Sequence, residues 1–218
     1  MRLLFLTDSF RPSRSACANR ACVLVDAMRE AGIDVQVLAS SDSLLNLPEG
    51  YAKPDYVNFF ETFPLQEKTL MNRLRNNFGG QRASVKAAEG MGDFDVVVCT
   101  TPPLLLTTSA IKIARRKGAK LVLDVRDVWP DVAYEMGSFM PGSLYGRFFS
   151  YIAKRGFNAA DMVTTVSVGK AEKLKRRVPV GTSVELVPNG IDEAFVRNEE
   201  DPAVVERFEL GRGPICCY

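Results

Sequence analysis

The sequence predicts a doubly wound α/β fold, built on one parallel β-sheet with helices on both faces. Short apolar runs of the kind found in buried strands recur along the chain, and the clearest is FDVVVCT at residues 94–100. Segments with a helical spacing of apolar residues separate these runs. Strands that alternate with helices of about 10–15 residues indicate βαβ units, in which neighbouring strands run parallel.

The elements follow one another in a regular order. Strands are expected at residues 2–7, 33–39, 56–60, 94–100, 120–125, 162–166 and 184–187. Helices are expected at 19–31 before the stop signal Gly32, at 66–89 with a break at Gly79-Gly80, at 104–117 after Pro102-Pro103, at 143–159 and at 169–177. A short helix and the start of an apolar strand at 214–218 are expected to close the chain.

The composition is that of an ordinary globular protein with one good core. Of the 218 residues, 46% are hydrophobic and 25% are charged. The formal charge of +2 is too small to indicate a nucleic-acid partner. No apolar run approaches the roughly 20 residues that span a bilayer, and the apolar start of the chain meets Asp8 too early for a signal peptide. The five cysteines form no disulfide framework, so the sequence predicts a cytoplasmic protein.

The absence of histidine restricts the chemistry. Without histidine, Ser-His-Asp and Cys-His catalysis and most zinc sites are excluded. Cys17 and Cys22 lie five residues apart with no third ligand nearby, so no metal site is predicted. Neither G-x-G-x-x-G nor G-x-x-x-x-G-K-[ST] occurs, so the central motifs of an NAD-binding domain and of a P-loop NTPase are both missing. The sequence predicts no cofactor.

The loops after the strands are the candidate sites, because ligands of such sheets bind beyond the carboxyl ends of the strands. The first loop, residues 8–20, carries small residues and arginines just before a helix, the positions of interest being Arg14, Ser15, Ala16 and Arg20. A helix N-terminus favours phosphate, and arginine binds it well. The loop therefore suits a diphosphate, or it is a solvated basic loop with an ordinary helix cap.

Two further loops carry hydroxyl groups. Thr100-Thr101-Pro102-Pro103 follows the fourth strand, and its hydroxyls suit either a sugar hydroxyl, a phosphate or plain capping of the next helix. Ser167 follows the sixth strand, where we expect it to cap the following helix and, to a lesser extent, to face a cleft.

The strongest local signal follows the fifth strand, in the segment Asp124-Val125-Arg126-Asp127-Val128-Trp129-Pro130. Charges next to a buried strand are costly unless they are paired or bind something. Arg126 stays protonated and cannot act as a base, so it suits a phosphate or a developing negative charge. Asp124 is expected to support Arg126 through a salt bridge, and Trp129 either stacks on a sugar or fixes the loop to the core. A buried ion pair that merely closes the strand is the structural alternative.

These segments carry a family resemblance over essentially the whole chain. The DVRDVWP run and the VPNGID run at 187–192 resemble the acceptor-side loop and the interdomain hinge of retaining GT-B glycosyltransferases, specifically family 4-like enzymes that build bacterial O-antigen and capsule. Such a domain has a Rossmann-like sheet. The resemblance implies an N-terminal acceptor-binding domain at 1–192, then a linker and the start of a truncated donor-binding domain at 193–218.

The resemblance also implies roles for individual residues. It implies transfer of a sugar from a nucleotide-sugar donor to a glycan acceptor, often lipid-linked, with Arg126 and Asp127 as catalytic residues and Asp127 orienting or deprotonating the acceptor hydroxyl. Asn189 belongs to the hinge turn, where Asn189 and Gly190 tolerate positive φ. The implied substrate- and diphosphate-binding set is Ser15, Ala16, Arg14, Arg20, Thr101, Asp124, Trp129, Ser167 and Asn189. Ser15-Ala16 replace the pair of glycines typical of the family.

Two questions remain open at this point: what the basic segments contact, and which class of protein the chain belongs to. Two basic and aromatic segments, 65–86 and 144–157, suit the surface of the inner membrane, or their aromatics pack on the sheet while the cations are solvated. The chain is either half of a two-domain enzyme, inactive alone, or a partner subunit of a split glycosyltransferase. The third alternative for the class of protein is a non-enzymatic nucleotide-binding domain.

Overall fold

Seven parallel strands form a single sheet in the order β3-β2-β1-β4-β5-β6-β7. The computed structural model describes residues 1–45, 47–62, 70–190 and 202–209, with the backbone alone at 70–77. The strands are β1 Arg2–Thr7, β2 Asp34–Ser40, β3 Val57–Phe60, β4 Val96–Thr101, β5 Lys120–Val125, β6 Met162–Thr165 and β7 Ser183–Leu186. The predicted doubly wound α/β fold is therefore confirmed.

Helices connect these strands. They are α1 Ala16–Glu30, α2 Leu70–Glu89, α3 Leu106–Lys117, α4 Asp131–Glu135, α5 Leu144–Ala159, α6 Val168–Lys175 and α7 Pro202–Arg207, with a 3₁₀ turn at Ser41–Leu44. The five-residue helix α4 has no counterpart in the predicted elements. The predicted strand at 214–218 and the proposed boundary near 192 lie outside the described residues.

The core is divided between the two faces of the sheet, as the two-residue period of a strand requires. Leu3 and Phe5 point to the face covered by α1, where they pack with Val25. Leu4 and Leu6 point to the opposite face, which α2, α3 and α5 cover with a larger apolar cluster. All four strand side chains are buried, so β1 is central to both clusters.

The predicted break at Gly79-Gly80 is wrong, because α2 runs without interruption from Leu70 to Glu89. A Cβ on Gly80 would lie 3.2 Å from Thr62 Cγ2 and 3.3 Å from the Phe60 ring. Glycine at this position lets α2 approach the end of β3 closely, so it marks a helix contact rather than a helix end. The predicted start of α2 at residues 66–69 lies outside the described residues.

The carboxyl ends of the central strands meet along one edge. Thr101 pairs with Val125, and Val125 pairs with Thr165, so β4, β5 and β6 end at the same level. β1 lies beside β4 in parallel, with Leu6 opposite Cys99. The loops that follow these four strands are therefore neighbours in space, which places the predicted site residues at one edge of the sheet.

Candidate functional site

The most buried polar contact at this edge joins α1 to β5. Arg20 Nε donates to Asp124 Oδ2 over 3.1 Å, and Arg20 Nη2 donates to Asp124 Oδ1 over 2.7 Å. The two side chains are 5% and 2% exposed. Thr164 Oγ1 donates to the same carboxylate over 2.8 Å. Asp124 therefore does not support Arg126, and the predicted salt bridge between them is wrong, because the side chain of Asp124 lies on the face of the sheet covered by α1.

Arg20 also reaches the segment after β7. Its Nη1 donates to the carbonyl of Pro188 over 3.2 Å and to Asn189 Oδ1 over 3.0 Å. Asn189 thus binds an arginine of α1. Neither Asn189 nor Gly190 has a positive φ, and the rest of the predicted hinge, from residue 191, lies outside the described residues. These contacts occupy the Arg20 guanidinium inside the protein, away from the open part of the site.

Arg126 lies at the centre of the open part of the site. One Nη donates to Cys17 Sγ near the start of α1, and the other donates to the carbonyl of Pro102 over 2.6 Å. The Nε atom is buried and has no hydrogen-bond partner among the described residues. The backbone N–H of Arg126 donates to the carbonyl of Thr101 over 3.0 Å. The guanidinium is thus held between the loops that follow β1 and β4, and its buried Nε–H remains unused.

Asp127 forms an ion pair that the sequence did not suggest. Lys170 Nζ, on α6, lies 3.0 Å from Asp127 Oδ1 and also donates to the backbone carbonyl of Arg126. The Asp127 side chain is 42% exposed and that of Lys170 is 32% exposed. The carboxylate is therefore oriented by an ammonium group and still faces solvent, where it can accept a hydrogen bond from a ligand.

Trp129 packs within an aromatic cluster. Its ring lies 5.7 Å from the Phe149 ring in an edge-on arrangement and 6.4 Å from the Phe139 ring, measured between centroids. Phe139 and Phe149 stack on each other at 5.6 Å. Trp129 is partly buried against the core. These contacts support the reading in which Trp129 fixes the loop after β5 to the core.

The N-terminus of α1 presents hydroxyl groups. Ser15 is the N-cap of the helix and accepts from the backbone N–H of Ala18 over 3.2 Å. Ser9 Oγ lies 2.9 Å from Ser15 Oγ and 3.1 Å from Ser13 Oγ. Arg14 and Ala16 are exposed beside this cap. The cap leaves the helix N-terminus open to solvent with a cation beside it, an arrangement that attracts anions.

Neither of the two predicted hydroxyl caps forms its cap hydrogen bond. Thr101 Oγ1 is buried without a partner, and α3 has no side-chain cap, so Thr101 does not cap that helix. Thr100 Oγ1 instead donates to Thr7 Oγ1 over 3.0 Å, which links β4 to β1. Ser167 occupies the N-cap position of α6, but its hydroxyl makes no cap hydrogen bond and is exposed. The predicted side-chain cap at Ser167 is therefore wrong.

Asp8 is a site residue that the sequence analysis did not single out. It follows β1 directly and faces a recess beside Thr62, Gln81 and Pro103. No described residue gives it a hydrogen bond or an ion pair. Burial raises the pKa of Asp8 to about 6; Asp42 adds to this rise, and Arg126 opposes it. The rule that ligands bind beyond strand ends applies to Asp8 as well as to Arg126, so its position was the available signal.

Lys170 was missed for a different reason. It lies in the first turn of α6, and nothing in its local sequence shows that this helix starts beside the loop after β5. The pairing of Lys170 with Asp127 depends on the parallel pairing of β5 and β6, which brings the two loops together. Only the topology of the sheet reveals this contact.

The edge thus has two chemical halves. Arg126 and the N-terminus of α1 form a part that favours anions, while Asp8 and Asp127 supply carboxylates that can accept hydrogen bonds from hydroxyls. Across the described ranges, no three or more Cys, Asp or Glu side chains are grouped to hold a metal ion. In the same ranges, no helix has both the length and the apolar character needed to cross a bilayer.

Solved structures share this architecture. The chain is similar to sucrose-phosphate synthase from Thermosynechococcus elongatus, with a TM-score of 0.67 and 13% identity, covering 97% of this chain and 53% of that one. It is also similar to Arabidopsis thaliana UGT89C1 in complex with quercetin, with a TM-score of 0.61, 15% identity and coverage of 95% and 54%. Anabaena Alr3699/HepE in complex with UDP-glucose gives a TM-score of 0.55, 14% identity and coverage of 96% and 49%.

These likenesses show the fold, and the chain spans about half the length of each of the three structures. No curated protein sequence matches it. Residues 18–195, from the first turn of α1 to beyond β7, match the profile described as Glycosyltransferase Family 4. That match covers most of the chain. The edge with its anion-binding and carboxylate halves therefore lies in a glycosyltransferase domain of GT-B type, and the chain belongs to Glycosyltransferase Family 4.

Proposed function

We propose that this chain is the acceptor-binding half of a retaining glycosyltransferase that takes its sugar from a nucleotide-sugar donor. Residues 1–192 are the acceptor domain, and 193–218 lead into a donor-binding domain. The acceptor is a glycan, lipid-linked in our proposal, and the product belongs to a surface polysaccharide such as O-antigen or capsule. The observation that carries the proposal is the juxtaposition of Arg126 with the N-terminus of α1 at the edge of the sheet. Two neighbouring structures, HepE and UGT89C1, hold UDP-sugars.

Arg126 has the properties of a ligand for the departing diphosphate. In the proposed reaction, the acceptor oxygen bonds to the anomeric carbon while the bond between that carbon and the diphosphate oxygen breaks, so negative charge develops on the leaving group. The guanidinium is permanently charged and already fixed by Cys17 and Pro102. A cation that needs no reorganisation stabilises such charge most effectively.

Asp127 is proposed to orient the acceptor hydroxyl and to accept its proton. Its ion pair with Lys170 holds the carboxylate toward solvent at the same edge. Thr101, Trp129, Ser167 and the cap residues Arg14, Ser15 and Ala16 surround the proposed pocket. Arg20, Asp124 and Asn189 support it from inside by tying α1, β5 and the segment after β7 together.

A binding experiment tests this proposal. We expect a short-chain polyprenyl-diphosphate sugar to bind the 218-residue protein in calorimetry. Arg126→Ala should weaken that binding by about tenfold or more, the equivalent of a hydrogen bond between charged groups. Asp127→Ala should weaken it as well, whereas Lys112→Ala, which removes an exposed cation of α3, should have no effect. Substitutions that lower the melting temperature without changing the binding would contradict the assignment.

The isolated domain is expected to be inactive. Orientation and electrostatic stabilisation need both walls of the cleft, because proximity and preorganised charge supply most of the rate enhancement. Sugar transfer by the purified 218-residue protein from UDP-glucose to the same lipid-linked acceptor would contradict this expectation.

We further propose that α5 contacts an anionic membrane surface. Of the predicted segment 144–157, Phe149, Ile152 and Phe157 are buried in the core. Five exposed side chains on the opposite side form a stripe, the α5 face, which consists of Leu144, Arg147, Tyr151, Lys154 and Arg155. Leu144 is 84% exposed. Such a mixture of apolar residues and cations suits anionic headgroups. Much of the other predicted segment, 65–86, lies outside the residues with described side chains.

Vesicle co-sedimentation tests the α5 face. Binding to vesicles that contain phosphatidylglycerol is expected, and binding to pure phosphatidylcholine vesicles is not. The double substitution Lys154→Ser, Arg155→Ser should reduce the binding, because each cation near an anionic surface contributes about 1 kcal/mol. The matched control, Lys112→Ser with Arg115→Ser, removes two exposed cations from α3. Equal loss in both double variants would leave only a nonspecific charge effect and contradict the α5 face.

A further inference from the structure

A recess opens next to Asp8, apart from the contacts of Arg126 and Asp127. It is open to solvent and lies between the end of β1, the end of β3 and the facing parts of α2 and α3. Asp8, Thr62 and Gln81 supply its polar lining, and Phe60, Pro103 and Leu106 supply apolar surface. A mixed lining of this kind offers both hydrogen-bond partners and a flat apolar contact.

Asp8 is the carboxylate of this edge that remains free. Asp124 is bound by Arg20, and Asp127 by Lys170. Asp42 accepts a hydrogen bond from Thr62 Oγ1 over 2.8 Å. In the described part of the chain, Asp8 has neither a cation nor a hydroxyl as a direct partner, and its side chain is only partly exposed. A carboxylate that borders a recess and has no partner in the protein is available to accept hydrogen bonds from a ligand.

We propose that the recess is an acceptor subsite that binds an uncharged, hydroxyl-bearing sugar ring, with Asp8 accepting hydrogen bonds from its hydroxyls. This inference rests on the proposed function, because it assigns the part of the acceptor that enters the site. Asp8 is then a specificity-determining residue. It selects the acceptor, while the diphosphate interacts with Arg126.

The carboxylates around the recess disfavour an anionic occupant. Among the described residues, the charged groups that act on Asp8 are Asp42, whose charge raises the pKa of Asp8, and Arg126, whose charge lowers it. The two carboxylates repel a uronic acid or a phosphate at the recess itself. Neutral hydroxyls donate to a carboxylate without this penalty, and the C–H face of a pyranose can pack on Pro103 and Leu106.

The same carboxyl should give the subsite a dependence on pH. Because the pKa of Asp8 is raised to about 6, the group is mostly ionised at pH 8 and mostly protonated at pH 5. The ionised form accepts hydrogen bonds from two hydroxyls, whereas the protonated form must use one oxygen as a donor. Affinity for a neutral sugar should therefore fall as the pH is lowered through 6.

An NMR titration of the ¹⁵N-labelled 218-residue protein tests the subsite. Methyl α-glucopyranoside, methyl α-galactopyranoside and methyl α-mannopyranoside are the neutral probes, and methyl glucuronoside is the charged one. At least one neutral glycoside should shift the amide signals of Thr62, Gly80 and Gln81, and the glucuronoside should bind more weakly. Asp8→Asn should weaken binding by about tenfold, whereas the exposed Asp55→Asn should not change it.

Wild-type protein provides a second measurement that needs no variant. Its affinity for the neutral glycoside should be lower at pH 5 than at pH 8. The proposal is overturned if no neutral glycoside shifts these signals, if the glucuronoside binds better, or if neither Asp8→Asn nor pH changes the affinity. Adding the polyprenyl-diphosphate sugar to the same sample separates the two hypotheses. Its binding through Arg126 without any glycoside binding would leave the proposed function standing and refute the Asp8 subsite.

Discussion

Arg20 and Asp124 are 104 positions apart in the sequence and are joined by two hydrogen bonds, of 3.1 Å and 2.7 Å, in the interior of the protein. The same guanidinium holds the carbonyl of Pro188 and the side chain of Asn189. One arginine of α1 therefore fastens β5 and the segment after β7 at the same point. The loop after β5, which carries Arg126 and Asp127, starts two residues beyond Asp124.

Asp124→Ala should reduce the free energy of unfolding by about 3–5 kcal/mol, because it leaves the Arg20 charge buried without an opposite charge. Asp127→Ala is the control, since its pair with Lys170 is partly exposed and should contribute only about 0–1 kcal/mol. Urea denaturation followed by circular dichroism measures both. A loss of stability for Asp124→Ala no larger than that for Asp127→Ala would show that the buried pair does not hold the fold.

Gly156→Ala should destabilise the packing of α5 on α3 by roughly 1–3 kcal/mol. A Cβ at Gly156 would lie 2.6 Å from Thr107 Cγ2, and both groups are in the interior. Gly169→Ala in the first turn of α6 meets nothing within 4 Å and should instead stabilise the protein by roughly 0.5–1 kcal/mol. Thermal unfolding of the two variants should therefore shift in opposite directions, and a shared direction would contradict the close contact.

Thr107→Val should be neutral or stabilise the protein slightly. Thr107 is 1% exposed, and its hydroxyl has no partner among the described residues, so the variant removes an unpaired polar atom at nearly constant volume. Thr165→Val is the matched control, because Thr165 Oγ1 donates to the carbonyl of Val125 over 2.7 Å. Its loss should cost about 1 kcal/mol. Equal unfolding midpoints for the two variants would indicate that Thr107 is hydrogen-bonded in solution.

Asp8→Asn should change how stability depends on pH. The pKa of Asp8 is raised by burial from 3.8 to about 6, so the folded state holds this proton more tightly than the unfolded state. The stabilisation that comes from binding this proton is complete below pH 3.8 and is lost as the pH rises through 6. Relative to wild type, Asp8→Asn should therefore gain roughly 1–3 kcal/mol between pH 4 and pH 7, since one pKa unit corresponds to ~1.4 kcal/mol.

Denaturation at several pH values, with Asp55→Asn as the exposed control, measures this difference. A constant offset between Asp8→Asn and wild type across the pH range would mean that Asp8 has an ordinary pKa in the folded protein.

The pattern of strands and helices could be predicted from the sequence because it depends on local signals. The apolar runs at β1, β4 and β5 and the stop at Gly32 are visible in single segments of the chain. The break predicted within α2 failed because Gly80 serves a contact with Phe60, which is distant in the sequence. A glycine required by packing and a glycine that ends a helix look alike in a sequence.

The sequence predicted which strand ends carry the charged residues of the candidate site, but it did not predict which partners those residues bind. The charges after β5 were correctly expected at the edge of the sheet where the strands have their carboxyl ends, since strand direction follows from the βαβ pattern. Their partners were not, because the pairs of Asp124 with Arg20 and of Asp127 with Lys170 depend on side-chain directions across the sheet. Asp124 follows Leu123 by one residue and so points to the opposite face.

The contacts of Arg20 set a rule for recombining this domain with others. A chimera joined after Gly190 keeps both acceptors that Arg20 finds beyond β7, the Pro188 carbonyl and Asn189 Oδ1. A chimera joined before Pro188 imports a foreign residue at position 189, and Arg20 then loses the Asn189 side chain as an acceptor. A junction beyond residue 190 therefore leaves every contact of this buried arginine intact.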